Sequence, residues 1–411
     1  MVGGDCLKRI DNNREYASGK NSYNDLRQKP TIVHIISGLD IGGAEMMLCK
    51  LLSTSELSCF RHNVISLGEK GILANDLEAF KIPVYAAGWQ KNQIRLGPIR
   101  TFYNALNQIK PDIVQGWMYH GNLAAIFALL SVKKKIPILW NIRHTPYDLG
   151  EEKWGTAAII RLGSILSRIP QCIIYNAETS ANLHVKLGFQ KMRQIVIPNG
   201  FDLERFKSNP DQRRLLRNEL GLKKSAFLIG LIARYHPVKG HLLFLRAAAL
   251  LAREFSHLHF ILVGSIGEMG LKELRGRIQE EGLLGRVHIL GERRDISNVM
   301  AGLDLVASAS STEAFPNVIG EAMACEVPCV VTDIGDCAQL VGDTGIAVSC
   351  ESVAIAAGIA KLVRMDSNER CKLGRAARNR IVDHFSLHKI ADSYSNLYWQ
   401  VLNGIRVTTL N

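Results

Sequence analysis

Ile32-Val33-His34-Ile35-Ile36-Ser37-Gly38-Leu39-Asp40-Ile41-Gly42-Gly43-Ala44-Glu45 is the stretch on which the fold turns. An apolar, β-branched run meets paired glycines and then a helical pattern. The run from Ile32 to Ile36 shows no alternation between apolar and polar residues, so it reads as a strand buried on both faces. Gly42 and Gly43 let the backbone turn tightly and bring N–H groups near an anion at a helix start. The spacing is not GxGxxG, so the dinucleotide fingerprint fails, and a purely structural turn stays open beside a ligand loop.

The same grammar repeats along the chain. Asn63–Leu67, Asp112–Val114, Ile136–Trp140 and Ile173–Tyr175 read as further strands, with helices at 44–52, 73–80, 99–109 and 157–169. The second half supplies strands at 227–233, 260–263, 287–290, 305–307 and 329–331. Continuous apolar strands alternating with helices imply parallel sheets covered on both faces, an α/β architecture. The 411 residues exceed one ordinary domain of roughly 100–200 residues, so two Rossmann-like doubly wound domains are expected. The divisions expected are an N-terminal arm at 1–30, a first domain at 31–205 joined by a C-terminal helix at 386–404, and a second domain at 206–385. The polar stretch 209–224 reads as the linker region.

Hydrophobic residues at 47% and charged residues at 21% are ordinary for a globular chain and exclude collagen-like, disordered and disulfide-scaffold classes. Nine cysteines without a CxxC pair read as reduced thiols, and 1–30 lacks an apolar secretory core, so a cytoplasmic protein is expected. The longest apolar run, 124–132, is far below the ~20 residues of a membrane span. A net charge of +12 favours an anionic partner: nucleic acid, a phosphorylated ligand or an anionic membrane face.

Parallel sheets bind ligands beyond the carboxyl ends of their strands, which directs attention to four loops. Arg234-Tyr235-His236-Pro237-Val238-Lys239-Gly240 places two cations at a strand end and a helix start, suited to clamping a diphosphate, although two solvated surface charges fit the same spacing. Glu313-Ala314-Phe315-Pro316-Asn317-Val318-Ile319-Gly320-Glu321 puts two carboxylates at a loop-to-helix junction, with Pro316 suiting the first helical turn and backbone N–H groups between them. His120, Arg143 and His144 follow first-domain strands and face an inter-domain cleft if they are not structural. No DxD, P-loop, GxSxG or HExxH occurs, so no metal or cofactor is called for.

In order, these segments resemble the family 4 retaining glycosyltransferases of the GT-B fold, in which two Rossmann-like domains face each other across a cleft. The resemblance spans about residues 31–400. It is carried by Glu313 to Glu321 with Ala322-Met323-Ala324, by Gly291-Glu292-Arg293-Arg294-Asp295 and Asp304, and by Gly42 to Glu45, Ile197 to Asp202, Arg234 and Lys239-Gly240. It implies metal-independent transfer of a sugar from a nucleotide diphosphate sugar, the co-substrate, to a glycan or lipid-linked acceptor in cell-surface polysaccharide or glycolipid synthesis. By the same resemblance Arg234 and Lys239 hold the diphosphate, Glu321 the ribose, and Glu313 the donor sugar. The backbone from Ala314 through Phe315, Pro316 and Asn317 to Val318 meets sugar and phosphate oxygens, Gly42 and Gly43 approach the diphosphate, and His144 faces the sugar. His120 and Arg143 are candidates for the acceptor side.

The sequence departs from the family pattern at Ala309, Ala314, Glu326, Asp336 and Gln339, around the donor-sugar pocket. A nucleotide-sugar 2-epimerase of the same fold and a catalytically silent nucleotide-sugar-binding protein stay open beside transfer. No recognition module accompanies the charge, so nucleic acid is not expected. Lys133-Lys134-Lys135 with Lys91, Arg95 and Arg100 make an anionic membrane face a candidate partner of the first domain, against ordinary solvated helix ends. Leu387, Ile390, Tyr394, Leu397 and Tyr398 stand at helical spacing and read as a core stripe of the returning C-terminal helix.

Overall fold

The computed structural model describes residues 29–90, 96–130, 136–150 and 152–405. The expected arm at 1–30 lies, except for Lys29 and Pro30, outside the described residues, as do Lys91, Arg95 and Lys133 to Lys135. The chain divides into two compact units: one runs to Gly200 and resumes at Leu387, and the other is Phe201–Ser386.

The first unit holds β1 (Thr31–Ile36), β2 (Arg61–Ser66), β3 (Val84–Ala86), β4 (Ile113–Trp117), β5 (Ile138–Ile142), β6 (Cys172–Tyr175) and β7 (Gln194–Val196). They form a parallel sheet in the order β3-β2-β1-β4-β5-β6-β7. All of β1 is buried, and its residues feed two cores: Ile32 and Ile36 pack on one face, Val33 and Ile35 on the other. This two-faced burial is why the opening run carries no polar alternation. The C-terminal helix Leu387–Leu402 belongs to this unit, and its buried stripe of Leu387, Ile390, Tyr394, Leu397 and Tyr398 completes the core that holds Ile32.

The second unit holds β8 (Phe227–Ile232), β9 (Leu258–Val263), β10 (Val287–Gly291), β11 (Leu305–Ser308), β12 (Cys329–Thr332) and β13 (Ile346–Val348), parallel in the order β10-β9-β8-β11-β12-β13. Strand order reverses between β1 and β4 in the first sheet and between β8 and β11 in the second. At such reversals the flanking helices diverge to opposite faces and leave a crevice at the strand ends.

The stretch expected as a linker is instead structured. Pro210–Glu219 is a helix of the second unit, capped by the Asn209 side chain on the Asp211 amide, with Leu216 buried. Its polar composition hid a buried cation: Arg217 is 3% exposed, donates to the carbonyls of Ala226 and Gly302 at 2.9–3.1 Å, and pairs with buried Asp304. The division between units accordingly falls at Gly200/Phe201, ahead of the expected 205/206, and Ser386 groups with the second unit. The strands Val84–Ala86, Gln194–Val196 and Ile346–Val348 are too short to show a period and were not expected from the sequence.

Candidate active site

In the second unit, the loops after β8 and β11 enclose a cavity of about 260 Å³ at the sheet reversal. Arg234, exposed, stands two residues beyond β8, and Lys239 ends a short 3-10 turn of Pro237–Lys239. Gly240 follows with φ +66°, and a Cβ there collides with the Ala309 carbonyl, so only glycine lets this loop lie against the end of β11. Lys239 Nζ meets Glu313 Oε1 at 2.5 Å, and the Ser310 hydroxyl donates to the same oxygen at 2.9 Å. Glu313 is thus held in place by a cation that is itself only partly buried.

The helix Asn317–Ala324 starts at the cavity wall with Pro316 as its N-cap, one position earlier than the first-turn site expected. The Ile319 and Gly320 amides share the Pro316 carbonyl at 3.2 and 3.4 Å, and the helix dipole adds positive potential at this end. Ala314 accepts a hydrogen bond from the Asp336 amide at 3.1 Å, and Phe315 lines the cavity while stacking on Phe201 at 6.1 Å. Glu321 lies in the fifth position of the helix, half-buried. Arg234, Lys239, Glu313, Phe315, Pro316, Asn317 and Val318 therefore share one cavity, while Ala314 and Glu321 adjoin it in sequence without lining it. Two cations and a helix N-terminus are the groups this crevice can offer a polyanion, with the Glu313 carboxylate offsetting one of the cations.

The departures from the family pattern have local explanations. Glu326 adopts φ +63° and closes the helix in the left-handed region without glycine. Asp336 is buried and caps the short helix Cys337–Val341. Ala309 is the residue against which Gly240 packs.

In the first unit, Gly42 caps the helix Gly43–Leu52 in extended conformation, with Glu45 folded toward it. Burial and the nearby Asp40 raise the Glu45 carboxyl above its ordinary value, while its own backbone amide opposes them. Arg143 is committed to the fold: it donates to Tyr394 Oη at 2.7 Å, bonds Asn199 and lies over the Trp117 ring at 5.2 Å. His120 is exposed at the start of the helix Met118–Phe127 and borders a separate apolar cavity.

His144 ends a chain of ring contacts that sequence reading missed. The Ser180 carbonyl can only accept, so His184 Nδ1 donates to it at 2.8 Å. Bare His184 Nε2 then takes the Tyr119 hydroxyl proton at 2.9 Å, and the Tyr119 oxygen accepts from His144 Nδ1 at 3.2 Å. His144 Nε2 lies 3.2 Å from Glu152 Oε1, a contact that is favourable when this nitrogen also carries a proton and donates to the carboxylate. Burial lowers the His144 pKa and the Glu152 carboxylate raises it, while burial drives His184 down to about 4. Tyr119, His184 and Glu152 carried no sequence signal because they lie 25, 40 and 8 positions from His144 in unrelated contexts.

Comparison with known proteins fits this geometry. The glycosyltransferase family 4 domain matches residues 41–205 and the glycosyl transferases group 1 domain matches 212–380. The UDP-Gal:alpha-D-GlcNAc-diphosphoundecaprenol alpha-1,3-galactosyltransferase of Escherichia coli is 31% identical over 50% of this chain and 54% of its own length. The N-acetyl-alpha-D-glucosaminyl L-malate synthase of Bacillus anthracis is 28% identical over 46% of this chain and 49% of its own. The alignments thus span about half the length of these relatives. The crystal structure of Anabaena HepE in complex with UDP-glucose superposes with a TM-score of 0.74 at 25% identity, covering 90% of this chain and 99% of that one. Its complex with UDP alone gives 0.79 at 24%, covering 90% and 100%. With both halves matched in order and both sheets wound alike, the chain belongs to the family 4 glycosyltransferases of the GT-B fold.

Proposed function

We propose that this chain moves a sugar, with retention at the anomeric carbon, from a nucleoside diphosphate sugar to a glycan or lipid-linked acceptor in cell-surface polysaccharide or glycolipid synthesis. The observation that carries the reading is the cavity at the β8/β11 reversal, where Arg234, Lys239 and the start of the helix Asn317–Ala324 converge around Glu313. In transfer the bond from C1 to the β-phosphate oxygen breaks, the acceptor oxygen bonds to C1 and passes its proton to the departing phosphate, and the nucleoside diphosphate leaves with the electron pair. Negative charge grows on the departing diphosphate, and fixed cations and backbone dipoles stabilise it there.

The names of the relatives support the reading: one uses a UDP-galactose donor and a diphosphoundecaprenol acceptor. The HepE complexes contain UDP or UDP-glucose. Positive charge comes from side chains, so the proposal includes metal independence, and activity is expected to survive EDTA. The site acts at the cytoplasmic side if its acceptor is made there.

A thermal-shift screen against UDP-, GDP- and ADP-sugars identifies the donor, because a ligand of the folded state stabilises by mass action. Mass-resolved product analysis with the stabilising donor and added acceptors then tests transfer. An isomerised free donor without a glycosylated product overturns it in favour of a 2-epimerase. Donor binding with no product from any acceptor would point to a binding protein.

A further inference from the structure

The first unit carries a second cavity, of about 870 Å³, that the donor site leaves unexplained. The size lies within the roughly 300–1,000 Å³ of small-molecule sites. Its walls come from the helices Leu96–Ile109 and Met118–Phe127 and the loop after β3, with Trp89, Ile99, Phe102, Leu123 and Phe127 facing in. The Tyr103 hydroxyl, also on the wall, is spent on the Phe127 carbonyl at 3.4 Å. Polar groups gather at Ser37, just beyond β1, and His120, just beyond β4, which is the reversal of the first sheet. Gln90 adds an exposed amide. The cavity is therefore apolar along its length and polar where an α/β sheet receives ligands.

That polarity chooses the ligand class. A bare sugar against these walls leaves hydroxyls unpaired, which is unfavourable. A hydrocarbon matches them, and Phe127 on the wall is 55% exposed, so a chain entering the cavity meets apolar surface where the wall reaches solvent. His120 is exposed by surface area, yet the surrounding atoms partly desolvate its imidazole and hold it below its ordinary value, so at neutral pH it presents hydrogen-bonding nitrogens rather than a charge.

We infer that this cavity takes the first segment of the hydrocarbon chain of a lipid-linked acceptor, with the head group turned toward Ser37 and His120. The inference rests on the acceptor reading above and deepens it: the first unit selects its acceptor by the lipid as well as by the sugar. A chain gains about fourfold in affinity for each methylene it buries.

The test uses the full chain with saturating UDP, so that the donor cavity is filled, and isothermal titration with farnesyl diphosphate against inorganic diphosphate. Farnesyl diphosphate is expected to bind about tenfold or more tighter, with a negative heat-capacity change. Leu123→Gln and the exposed-site variant Phe127→Gln are expected to erase most of that gain while keeping the wild-type melting temperature and UDP affinity. Equal binding of the two diphosphates, or full retention of the gain in both folded variants, overturns the inference while leaving the donor reading intact. Loss of Phe127→Gln binding to phosphatidylglycerol vesicles without any farnesyl preference also overturns it, marking a membrane-contact strip instead. Failure of UDP itself to bind the wild type would remove the donor reading and this inference together.

Discussion

Lys239 and Glu313 neutralise each other in the absence of a ligand, so a diphosphate entering the cavity must compete for the ammonium. Lys239→Ala is expected to weaken UDP binding by about 10- to 100-fold, the loss of one charge-assisted hydrogen bond of about 1.5–3 kcal/mol, with little change in melting temperature. Glu313→Gln releases the lysine: UDP binding should hold or tighten while transfer falls. Weaker UDP binding in that variant would contradict the assignment. Glu326 makes a second residue-scale prediction. A side chain at φ +63° carries strain that glycine lacks, so Glu326→Gly should stabilise the chain by about 0.5–1 kcal/mol, read by urea denaturation. The sequence located both positions, the first as a cation and a carboxylate in loops, the second as a missing glycine. It could not pair Lys239 with Glu313, 74 positions apart, because that meeting is made by adjacent strands.

At the scale of elements, most strands were legible as apolar runs, some as short as the run at 305–307, since burial on both faces writes itself directly into composition. Pro210–Glu219 was not legible. Its sequence is mostly polar, and the structure shows that it packs through Leu216, buried, and Arg217, sealed against Asp304 and two carbonyls. Arg217→Ala removes one of the two arginines on buried Asp304, leaving Arg213 and the Leu228 amide, and should cost about 1–3 kcal/mol in chemical denaturation, whereas Arg214→Ala on the exposed face of the same helix should cost under about 0.5 kcal/mol. The His144 chain belongs to this scale as well, because the loop after β5, the helix Met118–Phe127 and the helix Glu178–Lys186 each supply one ring. Tyr119→Phe removes the hydroxyl that fixes the His144 tautomer. Nitrogen-15 spectra of its imidazole should then show the Nε2–H tautomer, which the Glu152 carboxylate at 3.2 Å selects by accepting from it, with Nδ1 no longer protonated.

At the scale of the molecule, buried neutral imidazoles set the acid limit. Burial holds His62, His184 and His241 at about 4, and with the neighbouring His62 it lowers His34 well below its ordinary value. An unfolded histidine takes its proton near 6.5, so the unfolded state binds more protons between about 4 and 6.5. Stability contributed by these groups is complete above about 6.5 and is withdrawn as pH falls, by up to about 1.4 kcal/mol per unit for each histidine. Melting temperature should drop steeply from pH 6.5 to 4.5, and a flat profile would show that these sites are hydrated. By itself the sequence determined the α/β class, the two repeated halves and the loops that carry charge, because each follows from local apolar runs, glycines and their order. Tertiary structure decided which loops meet at a sheet reversal, which polar residues are buried and where an apolar cavity opens, because those depend on strands and helices far apart in the chain packing side by side.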